Sequence, residues 1–209
     1  MISALTADSV IESSAPNPHV RVRKAAMHDI HPILDLINSY AAKGIMLPRT
    51  EFEMSENIRD FSVAYAGDTL VGCGALHFYS PVMGEVRSLA VSPDQRTHGI
   101  GHLMVGSLIA EAEAYNLDAI FAFTYVPGFF AKMGFHEVER GELPLKAWKD
   151  CLRCPKFHSC DEIAMVRILA QDRWDSHHLE QNDGEFEREN TLIQLPVVKQ
   201  ATEPLIPIK

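Results

Sequence analysis

Long apolar runs are missing from this chain of 209 residues. Glycine, histidine or charge interrupts the apolar stretches every few residues, and none approaches the roughly 20 residues of a transmembrane helix. The N-terminal stretch MISALTADSVIESSAPNP has neither the basic start nor the apolar centre of a secretory signal peptide. We therefore expect no membrane partner, and a cytoplasmic location by default.

Basic charge is also scarce. Asp and Glu number 28 against 19 Lys and Arg, which gives a formal net charge of -9. A nucleic-acid-binding protein usually carries a basic excess or a basic stripe, and neither is present. Because 46% of the residues are hydrophobic, the chain can bury a core and is not globally disordered. The composition predicts a folded protein that binds no nucleic acid.

Cysteine is limited to four residues, of which three crowd into ten positions. Cys151, Cys154, His158 and Cys160 have a spacing found at zinc and iron–sulfur sites. The second C-x-x-C pair that would strengthen a metal-site prediction is absent. A structural metal site, plain loop packing and a single reversible disulfide all remain open.

Composition divides the chain into three parts. Residues 1–19 are rich in Ser, Ala, Asn and Pro and are predicted to be a mobile tail. Residues 20–169 carry the apolar periodicity of one folded domain, and residues 170–209 become polar and mostly irregular. There are no internal repeats. A single domain with two tails is the expected organisation.

Periodicity predicts the elements of that domain. A strand starts at Val20, and Asp29 is placed to cap the helix that follows it. Thr50 and Glu53 form a plausible capping box, and Gly67-Asp68 is the turn of a hairpin. The full order is β-α-α-β-β-β-α-β-α-β, which describes an α/β (α+β mixed) domain with one mixed sheet of six to seven strands and helices on both faces.

The most informative segment leads from a strand into a long helix. It reads VRSLAVSPDQRTHGIGHLMV, with Gly99 and Gly101 at the start of the helix. Glycines let a ligand approach the backbone, and the first N–H groups of a helix lack intrahelical partners, so a pyrophosphate is suited to this place. The loop lacks the lysine of an ATP-binding P-loop and the third glycine of a dinucleotide fold.

These residues resemble the (Q/R)-x-x-G-x-(G/A) acyl-CoA loop of GNAT acetyltransferases. Phe130-Ala-Lys-Met-Gly-Phe135 is similar to a second signature of that family, Y-x-K-x-G-F, and the resemblance covers roughly residues 20–169. The resemblance implies direct transfer from acetyl-CoA to an amine inside a ternary complex, without a catalytic metal. It also implies a strand separation between Ser88–Val91 and Phe121–Thr124 that admits the thioester. The implied cofactor-binding residues are Leu89, Ala90, Val91, Arg96, Thr97, His98, Gly99, Ile100, Gly101 and Phe130.

One position departs from the family pattern and bears on catalysis. Many relatives have a tyrosine at the position of Phe130 that protonates the departing thiolate, so a water or Tyr125 is expected to take that role here. The amine must also lose a proton before it attacks. Glu85 is the leading candidate for the base, with a solvated glutamate at a sheet edge as the alternative. His77 is the second candidate.

The acceptor is suggested by further similarity. Segments around LPRT, VGCGAL, GEVRSLAV and FTYVPGFFAKMGF resemble the acetyltransferase domain of N-acetylglutamate synthases, which share the aromatic residue in place of the tyrosine. This resemblance implies L-glutamate as the acceptor and a place in arginine biosynthesis. Two carboxylates call for cationic side chains. The predicted substrate-binding residues are Arg49, Arg87, Thr124 and Lys132.

Other functions stay open at this point. Aminoadipate, another amino acid or a protein N-terminus are alternative acceptors. A non-catalytic regulator that binds acetyl-CoA would keep the loop at Arg96 with a blocked acceptor site, and a metal-dependent interaction module would use Cys151–Cys160. A homodimer is possible by analogy with other GNAT proteins.

Overall fold

A computed structural model describes most of the chain and divides it into two compact units, residues 1–171 and 172–209. Of the second unit, residues 172–176 are described and are helical. The predicted tails fall almost wholly outside the described residues, as does Thr97. The described residues are 20–96, 98–143, 154, 156 and 159–176.

The first unit is built on one mixed sheet of seven strands in the order β1-β2-β3-β4-β5-β7-β6. All neighbouring strands pair antiparallel except β4 and β5, which run parallel. The strands are β1 Val20–Lys24, β2 Phe61–Ala66, β3 Thr69–Phe78, β4 Met83–Val91, β5 Ala119–Thr124, β6 His136–Glu137 and β7 Ile163–Ile168.

In the described part of the first unit, four α-helices cover the sheet: α1 Ile30–Ala41, α2 Glu51–Asn57, α3 Ile100–Ala114 and α4 Pro127–Lys132. Short 3₁₀ turns occupy Met27–Asp29, Ile58–Asp60, Pro93–Gln95 and Arg140–Glu142. The predicted mixed sheet with helices on both faces is confirmed. Strand β6 is not in the predicted order, because two residues are too few to show the alternation of apolar and polar side chains that indicates a strand.

The two faces of the sheet bury different clusters. On the face covered by α3 and α4, here the α3 face, Leu76, Val86 and Ile120 pack with helix residues such as Leu108 and Phe130. On the face covered by α1 and α2, the α1 face, Phe61, Val63 and Ala75 pack with helix residues that include Ile33, Ile37 and Met54. Alternation of side chains along each strand separates the two sets.

Local signals explain most element boundaries. Gly67 has φ +61°, as a tight hairpin turn requires, and strands β2 and β3 flank it. At α2 the capping box is confirmed, because Thr50 Oγ1 accepts the Glu53 N–H at 3.2 Å and Glu53 Oε2 accepts the Thr50 N–H at 2.9 Å. Asp29 is the N-cap residue of α1 as predicted, but its side chain makes no capping hydrogen bond to that helix and accepts the N–H of Ala26 instead.

Candidate active site

Strands β4 and β5 start side by side and then part. Their parallel pairing joins Met83 to Ala119, Gly84 to Ile120 and Glu85 to Phe121, and no later residue of these two described strands is paired to the other. Residues 86–91 of β4 are therefore not paired with residues 122–124 of β5. This is consistent with the separation that the family resemblance implies, and it leaves backbone polar groups in the middle of the sheet that an extended ligand can bond.

A β-bulge sits on the open part of β4. Ser88 has φ 52°, and the register with β3 shifts between the pairs Ala75–Arg87 and Cys73–Ala90. The extra residue changes which side chains point to which face. Before the bulge, Val86 packs on the α3 face, and after it Ala90 packs on the α1 face. A non-glycine residue with positive φ is uncommon, and nothing in the local sequence predicts it.

The predicted phosphate loop leads from β4 to α3. Gly99 adopts φ 74° and is the N-cap of α3, a conformation that suits glycine. A Cβ on Gly101 would lie 3.3 Å from the ring of Phe129, so this position is small because an aromatic ring packs against it. The first N–H groups of the 15-residue helix α3, which follows Gly99 directly, have no partners within the helix. This geometry fits a pyrophosphate.

The side chain of Arg96 is engaged within the protein. Its Nη2 donates to the hydroxyl of Tyr40 at 3.0 Å, and that hydroxyl in turn donates to the backbone carbonyl of Val91. Tyr40 is thus a site residue that the sequence reasoning missed, since as a buried residue of α1 it gives only the signal of a core position.

Glu85 lies on the α1 face where the two strands part. It is only 8% exposed, and its Oε2 accepts a hydrogen bond from the Tyr79 hydroxyl at 3.0 Å. The ring of Tyr79 packs against Phe121, with 5.4 Å between the ring centroids. The alternative of a solvated glutamate at a sheet edge is wrong, because β4 has neighbours on both sides at this point and the residue is buried.

A charged cluster continues from Glu85 along the same face. His77 pairs across the strands with Glu85, and its Nδ1 is 2.6 Å from Oδ2 of Asp60. The same carboxylate oxygen lies 3.6 Å from Nη2 of Arg87, whose side chain is 11% exposed. Two predicted residues, Glu85 and Arg87, are therefore brought together with the second base candidate. Asp60 and Tyr79 were missed by the sequence reasoning.

The remaining predicted acceptor residues are spread more widely. Arg49 lies between α1 and α2, where its backbone N–H and C=O bond the side-chain amide of Asn38 at 3.0 and 3.1 Å. Lys132 is exposed at the end of α4. Thr124 is buried at the end of β5, and its hydroxyl accepts the N–H of Val126 at 3.0 Å. Of these three, Arg49 lies beside the helices of the α1 face.

Tyr125, the candidate acid, follows β5 and is 38% exposed. Lys156 Nζ lies 3.3 Å from its hydroxyl and 4.9 Å from the centre of its ring. Partial burial raises the pKa of Tyr125 despite the hydrogen bond from Lys156, so the phenol is protonated at neutral pH. Phe130 is 4% exposed and packs edge-to-face with Phe129 and Phe135.

The cysteine segment is described in part. Cys154 and Cys160 are free thiols, whereas Cys151 and His158 lie outside the described residues, so the metal hypothesis stays a prediction. In the described part of the chain, no three His, Cys, Asp or Glu side chains form a group that could hold a metal ion.

None of the described helices is both long and apolar enough to cross a membrane.

Comparison with known proteins gives matches over this same region. The model of the acetyltransferase (GNAT) family matches residues 28–137. An uncharacterized N-acetyltransferase from Chlorobaculum tepidum is 42% identical over 148 residues, which cover 71% of this chain and 96% of that protein. An amino-acid acetyltransferase from Mycobacterium tuberculosis is 39% identical over 121 residues, 56% of this chain and 69% of that protein.

Two solved structures are similar in fold and sequence. A Mycobacterium tuberculosis protein in complex with CoA and NLQ is 31% identical with a TM-score of 0.61, covering 71% of this chain and 99% of the other. An N-acetylglutamate synthase from Neisseria gonorrhoeae, complexed with coenzyme A and N-acetyl-glutamate, is 30% identical with a TM-score of 0.67. That match covers 74% of this chain and 36% of the synthase, so this chain spans about a third of its length.

Proposed function

Because the chain belongs to the acetyltransferase (GNAT) family and uses acetyl-CoA as its co-substrate, we propose that it acetylates the α-amino group of L-glutamate. The reaction proceeds by direct attack of the amine in a ternary complex. The observation that carries this proposal is the buried Glu85 beside Arg87, on the α1 face, where β4 and β5 part.

Acetyl-CoA supplies the activated acetyl group. Its pyrophosphate is assigned to the N–H groups between Arg96 and Gly101, and its pantetheine arm to the open backbone of Leu89, Ala90 and Val91. The gap between β4 and β5 then presents the thioester to the α1 face. The fit rests on the left-handed Gly99 and on the part of β4 that pairs with β3 but not with β5.

The chain's own residues handle the protons. Glu85 removes a proton from the ammonium group of the acceptor, directly or through a water. The neutral amine then attacks the thioester carbonyl and a C–N bond forms. As the C–S bond breaks and the thiolate of CoA leaves, the nitrogen releases its second proton and becomes the amide. Tyr125 or a water returns a proton to that thiolate. His77, held by Asp60 at 2.6 Å, is the alternative base.

Two kinds of observation support an amino acid, and glutamate in particular, as the acceptor. The mycobacterial relative is named an amino-acid acetyltransferase, and the gonococcal synthase binds N-acetyl-glutamate. Arg87 offers a nearly buried guanidinium on the acceptor side, and Arg49 lies beside the helices of that face. An arginine pairs with a carboxylate through two parallel hydrogen bonds.

One observation favours a second candidate, an amino acid with an uncharged side chain such as glutamine. Asp60 lies 3.6 Å from Arg87 and offsets part of its positive charge. An acceptor with one carboxylate needs less cationic charge than glutamate does.

A thiol-release assay with acetyl-CoA tests both candidates. The full chain is assayed with glutamate, glutamine, aspartate and aminoadipate at matched concentrations, and the product is identified by mass spectrometry. We expect the highest kcat/KM with glutamate. A preference for glutamine would replace the substrate and keep the reaction, whereas CoA binding without turnover of any amine would contradict the proposed function and favour a regulator.

A further inference from the structure

Tyr40 occupies the last turn of α1 and is 5% exposed. Its hydroxyl donates a hydrogen bond to the carbonyl of Val91, the last residue of β4. Because a buried polar group is costly unless it is bonded, this contact fixes the end of α1 against the end of β4.

The same hydroxyl also holds the loop that follows β4. It accepts a hydrogen bond from Arg96 Nη2 at 3.0 Å, and the guanidinium carbon lies 5.3 Å from the centre of the Tyr40 ring. A tyrosine hydroxyl has one proton to donate and lone pairs with which to accept, so both bonds form together. Arg96 is itself exposed, and a guanidinium has five N–H donors, so donors remain for an anion.

One hydroxyl therefore bonds a backbone carbonyl and a side chain in two segments that the proposed CoA site needs. The first is the end of β4 at Val91, and the second is Arg96, three residues before the left-handed Gly99 that caps α3. Within the connection itself, a turn is closed by the bond from the Gln95 N–H to the Ser92 carbonyl at 2.9 Å. Tyr40 secures this turn to the body of the domain.

We propose that Tyr40 is a positioning residue for CoA, holding Arg96 and its loop in the conformation that receives the pyrophosphate. This inference rests on the proposed placement of CoA at the loop. A site that is already ordered loses less conformational entropy when its ligand binds, and so binds it more tightly. The hydroxyl itself contacts protein groups, so its removal should change the affinity for CoA and leave the chemical step unchanged.

Isothermal titration of the full chain with CoA tests the inference. Tyr40→Phe keeps the ring and its contact with the guanidinium but removes the hydroxyl. Loss of a hydrogen bond of ordinary net strength corresponds to about a three- to tenfold increase in the Kd of CoA. The KM for acetyl-CoA should rise by the same factor, while kcat and the KM for the amine stay at the wild-type values.

Tyr65→Phe is the matched control. Its hydroxyl also bonds a buried partner, Asp29 Oδ1 at 2.8 Å, which lies at the start of α1, at the other end of that helix from Tyr40. This variant should lower stability and leave the Kd of CoA unchanged. The inference is overturned if Tyr40→Phe binds CoA with wild-type affinity, or if both variants weaken binding equally, since that would indicate general loosening.

A double-mutant cycle tests whether the hydroxyl acts through Arg96. If it does, Tyr40→Phe should weaken CoA binding less in an Arg96→Ala background than in the wild type. If the two substitutions change the free energy of CoA binding additively, the hydroxyl does not act through Arg96. Failure of the proposed function is seen separately. A chain that binds CoA and acetylates no amine would refute the acetyl transfer but leave this comparison of Kd values intact.

Discussion

Two carboxylates are buried on the same side of the sheet in different surroundings. Asp29 has a fully buried side chain and lies beside β1 and β2, which pair along the whole length of β1. It accepts hydrogen bonds from Arg23 at 2.7 and 2.9 Å, from the Ala26 N–H at 2.7 Å and from the Tyr65 hydroxyl at 2.8 Å. Glu85 lies where β4 and β5 part, next to the charged cluster of Asp60, His77 and Arg87.

We propose that Asp29 is a structural carboxylate and that Glu85 is a catalytic one. The Asp29 carboxylate bonds three separate places: Arg23 in β1, the backbone of Ala26 just before the 3₁₀ turn, and Tyr65 in β2. Its ionised form therefore stabilises the fold. Glu85 lies beside an opening in the sheet, among groups that can bind an acceptor and take its proton. If this distinction holds, substitution of Asp29 should change stability, and substitution of Glu85 should change the rate of acetyl transfer.

The largest effect is expected from Glu85→Gln. The amide keeps an acceptor for the Tyr79 hydroxyl but cannot take a proton, and loss of a general base costs about 100-fold or more in kcat. Steady-state kinetics with acetyl-CoA and glutamate measure this loss. The control is Glu137→Gln, an exposed glutamate in strand β6, which should keep the wild-type rate. Equal rates for both variants would remove Glu85 from the mechanism and favour His77.

Asp29→Asn should affect stability and not the rate of acetyl transfer. The free energy of unfolding should fall by about 2 kcal/mol, because charge-assisted hydrogen bonds are lost. The KM and kcat per folded molecule should stay near wild type. Urea unfolding monitored by circular dichroism measures the change in stability. A normal midpoint combined with lost activity would show that Asp29 serves the site instead.

The contribution of Asp29 should also depend on pH. Burial alone raises the pKa of Asp29, but the hydrogen bonds from Arg23, Ala26 and Tyr65 outweigh it, so the pKa lies well below its usual range. A carboxyl with a lowered pKa stabilises the fold above its unfolded-state pKa of about 4 and loses that contribution as the pH falls further. The stability difference between wild type and Asp29→Asn should therefore shrink below about pH 4.

A smaller effect is expected from Arg87→Gln. Removing the guanidinium takes a charge-assisted contact from the acceptor carboxylate, so the KM for glutamate should rise about tenfold while the KM for acetyl-CoA is unchanged. Arg59→Gln, at an exposed arginine beside Asp60, is the matched control. A rise in the KM for acetyl-CoA alone would move Arg87 to the cofactor side of the site.

The smallest effect concerns the loop. Gly99 has φ 74°, a conformation in which alanine is strained by about 1 kcal/mol, so Gly99→Ala should raise the KM for acetyl-CoA several-fold. Gly106→Ala, inside α3 with open space around the added Cβ, should stabilise the fold by about 0.5–1 kcal/mol and leave the KM unchanged. Equal KM values for the two variants would contradict a cofactor role for the loop.

Local signals made much of the fold predictable. The hairpin at Gly67, the capping box at Thr50 and the glycine start of α3 each depend on residues close in sequence. The separation of β4 and β5 was expected from the family resemblance, and the pairing is consistent with it. Glu85 and Arg87 are two residues apart on one strand, so they lie on the same face of the sheet, because successive side chains of a strand point to opposite faces.

Contacts between distant segments were not predictable. Asp60 meets His77 and Arg87 only because the end of α2 and its 3₁₀ turn pack beside β3 and β4. Tyr40 reaches Arg96 across 56 residues of sequence. The bulge at Ser88 depends on the pairing of β4 with β3, and no residue near it signals a positive φ.

A crystal structure of the full chain with CoA and N-acetyl-L-glutamate tests the central claim most directly. We predict the pyrophosphate at the N–H groups of residues 99–101 and the CoA sulfur between the open part of β4 and the end of β5. The acetylated nitrogen should face Glu85 on the α1 face, with Arg87 against a carboxylate. CoA bound away from the opening, or the product bound on the α3 face, would contradict the account.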